Sequence, residues 1–144
     1  METNRGPDEC GPDGPLLWSS AYELGVEALD ADHRALVKLI NRTCMTARTA
    51  NRDAVLASLD ALRALAAEHF AREEAVMAQI QLKSGAHVLE HSQLMRRLET
   101  LHKNLADNPC KADSLNVCEE LIDWFVKHAV GRDAAIRAYY RGRD

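Results

Sequence analysis

Residues 59–80 read LDALRALAAEHFAREEAVMAQI, and their apolar positions recur every three or four residues. Leu59, Leu62, Ala66, His69, Glu73, Val76 and Ile80 fall on one helical stripe, so a histidine and a carboxylate stand where a packed helix puts leucine. Outward from this stretch, the helical period extends over 52–81 and returns in 31–48, 86–107 and 113–140. Thr49-Ala50-Asn51, Lys83-Ser84-Gly85 and Asp107-Asn108-Pro109 separate these segments, and Asp113 or Ser114 is placed to cap the last. Links this short make consecutive helices antiparallel neighbours, which predicts an all-α, up-down-up-down antiparallel four-helix bundle.

The chain has 144 residues with 18 basic and 22 acidic side chains, a length that closes one core and a charge balance without a basic footprint for nucleic acid or anionic membrane. No apolar run reaches the roughly 20 residues of a membrane span, and the start METNRGPDECGPDGP has no apolar core of a signal peptide. Cys10, Cys44, Cys110 and Cys118 show no C-x-x-C spacing, which predicts reduced thiols and a cytoplasmic protein. Residues 1–15, rich in glycine and proline, are expected to be a flexible leader, with the folded domain over 16–141. Its first part, Leu16 to Leu29, is an arm whose Trp18 and Tyr22 need a groove to dock in, followed by Asp30 as the expected N-cap of the first helix.

The other helices repeat the oddity of the second. His33 shares a face with Leu36, Ile40 and Cys44; His87 and His91 share one with Leu94, Leu98, Leu101 and Leu105; His128 lines up with Leu121, Trp124 and Phe125. An imidazole or carboxylate buried without a partner costs a few kcal/mol, so seven such groups facing one core demand something that satisfies them together. A metal does so. Residues four apart on a helix lie about 6 Å apart on one face, so His69 with Glu73 and His87 with His91 can each converge on a shared centre. His33, His128 and Asp133 complete the set. Any one of these matches is weak by itself, but five of the six histidines fall on inward faces across all four helices. Five imidazoles and two carboxylates exceed what one first-row ion coordinates. If both carboxylates and one solvent oxygen bridge, two ions fall one donor short of two octahedra and one position stays open. Nitrogen and oxygen donors without thiolate suit iron better than a structural zinc site.

Asp133 stands five residues after His128, which on a regular helix turns it about 140° away. Either the helix widens locally, with Gly131 allowing it, or the two groups approach from different sides. Glu99-x-x-His102 matches half of a ferritin-like di-iron signature, but the second pair is missing, and His102 is expected at the rim.

At this point the sequence resembles the bacterial hemerythrins. The motifs that carry the likeness are WSSAYELGVEALDADH ending at His33, HFAREE at His69 to Glu74, HVLEH at His87 to His91 and HAVGRD at His128 to Asp133. The resemblance implies two non-haem irons with a bridging oxo or hydroxo group, His87, His91 and His128 on one, His33 and His69 on the other, and Glu73 and Asp133 between them. It implies dioxygen as the partner, bound at the iron held by His33 and His69. It also implies an apolar oxygen pocket built from Leu36, Phe70, Trp124, Phe125 and Ala129, with Met77 nearby. Two departures stand out: the segment 80–86 is one residue short and lacks an aromatic-proline pair, and position 129 is alanine where a larger aliphatic is common. The expected function is reversible oxygen binding as carrier, store or delivery partner, not an enzyme. The alternatives are an oxygen or redox sensor, a di-iron enzyme acting on peroxide or nitric oxide, and iron storage.

Overall fold

Helix α1 (Glu27–Arg48) is followed by α2 (Arg52–Gln79), α3 (Gly85–Asp107) and α4 (Lys111–Lys127), then a π-helical segment (His128–Arg132) that leads directly into α5 (Ala134–Arg141). The computed structural model describes residues 14–49, 51–107 and 111–142, without the side chains of 111–115, and all the regular structure in them is helical. Helix α1 packs on α2 and α4, α2 on α3, and α3 on α4, which closes the four-helix ring. Ile40, Leu59, Leu62, Leu98 and Leu121 are fully buried along its axis. Each such side chain contributes roughly 1.5–3 kcal/mol by leaving water. A second cluster, Leu24, Leu29, Met77 and Ile136, closes one end. Met77 is thus a core residue of that end and stands apart from the apolar pocket.

Helix ends differ from expectation in instructive ways. α1 begins four residues early, with Val26 at the N-cap and no side-chain cap. Asp30 sits inside the first turn, and its carboxylate accepts from the Leu24 and Gly25 amides at 2.6 and 3.3 Å. It therefore caps the arm, not the helix. α2 ends at Gln79, and Gln81 takes φ 58 in the turn that follows. α4 starts at Lys111, ahead of Asp113 and Ser114, whose expected capping side chains lie outside the described residues, as does the leader up to residue 13.

The arm docks as its aromatics require. Asn41 ties both the amide and the carbonyl of Leu16, at 2.8 and 2.9 Å, and Gly14 lies so close that a Cβ there would come within 2.7 Å of the Asn41 side chain. Trp18 meets the Tyr22 ring edge-on at 5.4 Å, with the Arg34 guanidinium 4.9 Å from the indole, and Tyr22 meets Phe125 at 5.1 Å. Among the described residues no helix is long and apolar enough to cross a membrane.

The thiol expectation is overturned at two positions: Cys44 of α1 and Cys118 of α4 form a disulfide across a sequence separation of 74. Cys10 and Cys110 lie outside the described residues. Adjacent helices brought the two sulfurs together, which no local spacing motif could announce, and the pairing removes the thiol argument for a reducing compartment. Closing so long a loop restricts the unfolded chain, so reduction is expected to cost about 2–4 kcal/mol. Urea unfolding with and without dithiothreitol checks it, and two free thiols at Cys44 and Cys118 in denatured, unreduced protein would refute the bridge.

Candidate metal centre

Every one of the seven candidate ligands is buried: His33, His69, Glu73, His87, His91, His128 and Asp133 are each at most 6% exposed. They fall into two groups in which one donor atom from each residue lies within 4.8 Å of the others: Glu73, His87, His91 and His128 in one, and His33, His69, Glu73 and Asp133 in the other. Glu73 belongs to both. Its Oε1 lies 2.9, 2.7 and 3.2 Å from the Nε2 atoms of His87, His91 and His128, while Oε2 faces Nε2 of His69 at 3.0 Å and of His33 at 3.9 Å. Asp133 also reaches both sides. Its Oδ1 is 3.0 and 3.1 Å from Nε2 of His87 and His128, and its Oδ2 is 3.3 Å from Nε2 of His33. The arrangement separates three imidazoles from two, with a carboxylate oxygen turned to each side.

Local widening of the last helix brings Asp133 into this set. From His128 to Arg132 the backbone is π-helical, and the Asp133 amide donates to the His128 carbonyl, five residues back, at 3.1 Å. The extra residue per turn brings two side chains five apart onto one face. Gly131 is not what permits it, since a Cβ there would meet nothing within 4 Å.

The outward nitrogens decide what the inward ones can do. Nδ1 of His33 donates to the Tyr22 carbonyl at 2.7 Å. Nδ1 of His69, His91 and His128 faces Asp32, Glu74 and Glu90 at 3.0, 2.8 and 2.5 Å. A carbonyl or carboxylate only accepts, so these four Nδ1 atoms carry the proton, and in the neutral ring Nε2 then presents a lone pair. Those lone pairs point at carboxylate oxygens and, for His91 and His128, at each other across 3.2 Å. Buried acceptors facing acceptors repel unless a cation lies between them. His69 Nε2, Glu73 Oε2 and Asp133 Oδ2 are buried without an aligned hydrogen bond despite their short separations. Either extra protons or metal cations satisfy such a set, and its nitrogen and oxygen donors fit non-haem iron.

In the metal-free protein the protons serve. Burial pushes His69 down, but the Asp32 and Glu73 carboxylates outweigh it and raise its pKa to about 9. Burial likewise opposes protonation of His87 and His128, and Asp133 with Glu73 raises them to about 9 and about 10. For Glu73 burial favours the neutral acid, yet the histidines around it, His128 first, hold its pKa well below the usual carboxylate range.

Sequence reading passed over the outer acids, though each stands beside a candidate ligand. Asp32 precedes His33 but serves His69; Glu74 follows Glu73 but serves His91; Glu90 precedes His91 but serves His128. Each acid thus supports a ligand on the next helix in the chain. Arg72 holds Asp32 with two donors at 2.8 and 2.7 Å, and burial of Asp32 is outweighed by His69 and Arg72, which bring its pKa to about 2. Such partners fix ring orientation and raise ligand basicity. His102 takes no part; its Nε2 lies 3.2 Å from Asp60 on the bundle surface.

Beside the cluster is a cavity of about 10 Å³, lined by His33, His69 and His128 and walled by Leu36, Phe70, Leu94, Trp124, Phe125 and Ala129. The five expected apolar residues all line it. Leu94 lines it too, and nothing in its sequence spacing distinguishes a cavity wall from a core position. The volume matches the roughly 10–15 Å³ that one water needs on the same measure, so the cavity has room for a molecule of two or three atoms.

Residues 24–136 match the family model described as the hemerythrin HHE cation binding domain. The chain is similar to a bacteriohemerythrin of Ralstonia nicotianae, 30% identical over 90% of this chain and 93% of that protein. It is also similar to a bacteriohemerythrin of Clostridium acetobutylicum, 23% identical over 82% of this chain and 95% of that one. A third relative, the myohemerythrin of Riftia pachyptila, is 28% identical over 83% of this chain and 88% of its own length. The matched residues take in both carboxylates and all five histidines of the cluster, and the chain belongs to the hemerythrin HHE cation binding domain family.

Proposed function

We propose that this protein binds dioxygen reversibly, as a carrier, store or delivery partner, at two irons held by His87, His91 and His128 on one side and His33 and His69 on the other, with Glu73 and Asp133 shared. One observation carries the reading: proton-anchored imidazoles turn their lone pairs onto two shared carboxylates beside an apolar cavity with room for a diatomic molecule. Iron held by these residues would supply the electrons that reversible oxygen binding needs. The chain's own residues do the rest. Tyr22, Asp32, Glu74 and Glu90 keep His33, His69, His91 and His128 in the ligating tautomer. Leu36, Phe70, Leu94, Trp124 and Phe125 keep water from the cavity, and the indole N–H of Trp124 is withheld from it by donating to the Leu94 carbonyl at 3.0 Å. Apart from the three histidines, the lining side chains carry no acid or base.

Anaerobic loading with ferrous iron, then oxygen, then its removal, tests this by visible absorption alongside metal analysis. The expected result is two irons per chain and a charge-transfer band that appears and disappears reversibly. One ion per chain, preferential retention of zinc under excess iron, irreversible oxidation or peroxide consumption would refute it.

Metal and proton compete for the same lone pairs, which fixes the pH dependence. With His69 and His87 raised to about 9 and His128 to about 10, these rings hold their second protons at neutral pH. Lowering the pH keeps the lone pairs protonated and weakens metal binding; raising it through about 9 for His69 and His87, and about 10 for His128, frees them and strengthens it. Loading at pH 7 is therefore expected to release protons. Calorimetry in buffers of different ionisation enthalpy measures them, and a heat independent of buffer would contradict the expectation.

A further inference from the structure

We propose that Arg137 is a positioning residue that clasps the N-terminal arm to the π segment, and so holds His33 in its ligating tautomer and keeps the cavity closed. Its guanidinium makes three hydrogen bonds, all to main-chain oxygens: Nε to Glu23 at 3.0 Å, and Nη2 to Ala21 at 2.6 Å and to Ala129 at 2.8 Å. Two of these acceptors lie in the arm, 114 and 116 residues away in sequence, and the third lies in the π segment. A planar fork of five donors suits this task, whereas a single ammonium cannot span the three oxygens.

What the clasped carbonyls flank gives the role. Ala21 and Glu23 bracket Tyr22, whose carbonyl accepts from His33 Nδ1 at 2.7 Å and whose ring rests edge-on against Phe125 at 5.1 Å. Phe125 and Ala129 both line the cavity. One side chain therefore joins the two residues that flank the carbonyl setting His33 to the backbone of a residue that lines the cavity. Tyr140, three residues after Arg137 on α5, passes Gly25 of the arm, which has φ +89 and whose Cβ would come within 3.2 Å of the Tyr140 Cβ, so the arm lies closely against α5. Away from the clasp the arm is held at its ends, by Asn41 on Leu16 and by Asp30 on Leu24 and Gly25. Beside the His33 bond and the ring contacts of Tyr22 with Trp18 and Phe125, the exposed pair of Arg34 and Glu23 also lies near Tyr22, and such pairs contribute little.

The clasp deepens the oxygen-binding reading, but two of its three readouts do not depend on it. In metal-free, nitrogen-15-labelled protein, the His33 Nδ1–H resonance is expected to be visible in the wild type and lost to solvent exchange in Arg137→Gln. The His69 Nδ1–H, held by Asp32, serves as internal control and is expected to persist. Amide exchange over residues 16–26 is expected to rise about tenfold or more while the core of α2 is unchanged. In the iron-loaded protein, oxidation in air is expected to run several-fold faster. Arg137→Lys, which keeps the charge and the stem, is expected to behave as Arg137→Gln. An unchanged His33 signal with unchanged arm exchange in both variants overturns the proposal. So does a loosened arm with the wild-type oxidation rate, or loss of the helical signal in both variants, since releasing a clasp leaves the bundle folded. If the wild type fails to bind oxygen reversibly, the functional reading falls, and the metal-free His33 and arm signals still decide the clasp.

Discussion

Glu73→Ala is expected to empty both metal positions at once, leaving well under one iron per chain under conditions that load the wild type with two. Glu73 is the residue common to both groups of converging donors, and its two oxygens face all five inward nitrogens. Alanine leaves one shared carboxylate, Asp133, whose oxygens reach only His33, His87 and His128. Removing one partner from a buried charged set costs about 3–5 kcal/mol, because the charges left behind are out of water and lose the counter-ion they share. His69, His87 and His128 each lean on Glu73 for their raised pKa, so the variant's metal-free histidines are expected to lose protons at lower pH. His87→Ala removes one nitrogen from one side and is expected to do less to the other ion. Glu68→Ala, on the exposed face of the same helix, is the control. Metal analysis and the visible spectrum decide it, and an unchanged iron content in Glu73→Ala would mean that the second-helix pair has been wrongly placed.

The reason so much of the site was legible lies in that same helix. A polar side chain that interrupts an apolar stripe is visible in sequence because the stripe has a period, and His33, His69, Glu73, His87, His91 and His128 all break one. Asp133 was legible as a conflict: its five-residue offset from His128 allowed two geometries, and the π segment is the one the chain adopts. What stayed hidden has no period to break. Asp30 has the residue type and position of an N-cap, but its carboxylate turns back to the arm, and only the arm's path reveals that. Cys44 and Cys118 meet because α1 neighbours α4, a fact of tertiary packing. Arg137 was invisible because its partners are carbonyl oxygens, which every residue has.

The outer acids fall between these cases. Asp32, Glu74 and Glu90 lie next to ligand positions in sequence, yet each serves a ligand of another helix. Adjacent residues on a helix point about 100° apart, so an acid beside an inward histidine faces sideways, toward the neighbouring helix and the outer edge of that helix's own ligand. An acid flanking a buried ligand is therefore a signal for support of the next helix, available to sequence reading once the bundle topology is assumed.

The cavity wall carries the last expected result. Leu36, 1% exposed and one turn after His33, lines the cavity and bears no polar atom. Leu36→Glu places a carboxyl group in a space of about 10 Å³ whose other walls are apolar or imidazole. A carboxylate cannot stay there unpaired without a cost of several kcal/mol, so it either turns to a cation beside His33 or takes up a proton. In the first case it competes with dioxygen for the open side of the centre, and in the second it brings a proton source to a site walled against one. Both outcomes weaken oxygen binding and speed loss of the reversible state, and lowering the barrier by about 1.4 kcal/mol already gives about tenfold in rate. Two irons should remain bound, because all seven converging side chains are intact. Leu36→Met, which keeps the volume and adds no acid, is expected to stay near the wild type. Stopped-flow oxygen binding and the decay of the oxygenated spectrum measure the difference, and wild-type kinetics in Leu36→Glu would show that this wall does not govern access to the centre.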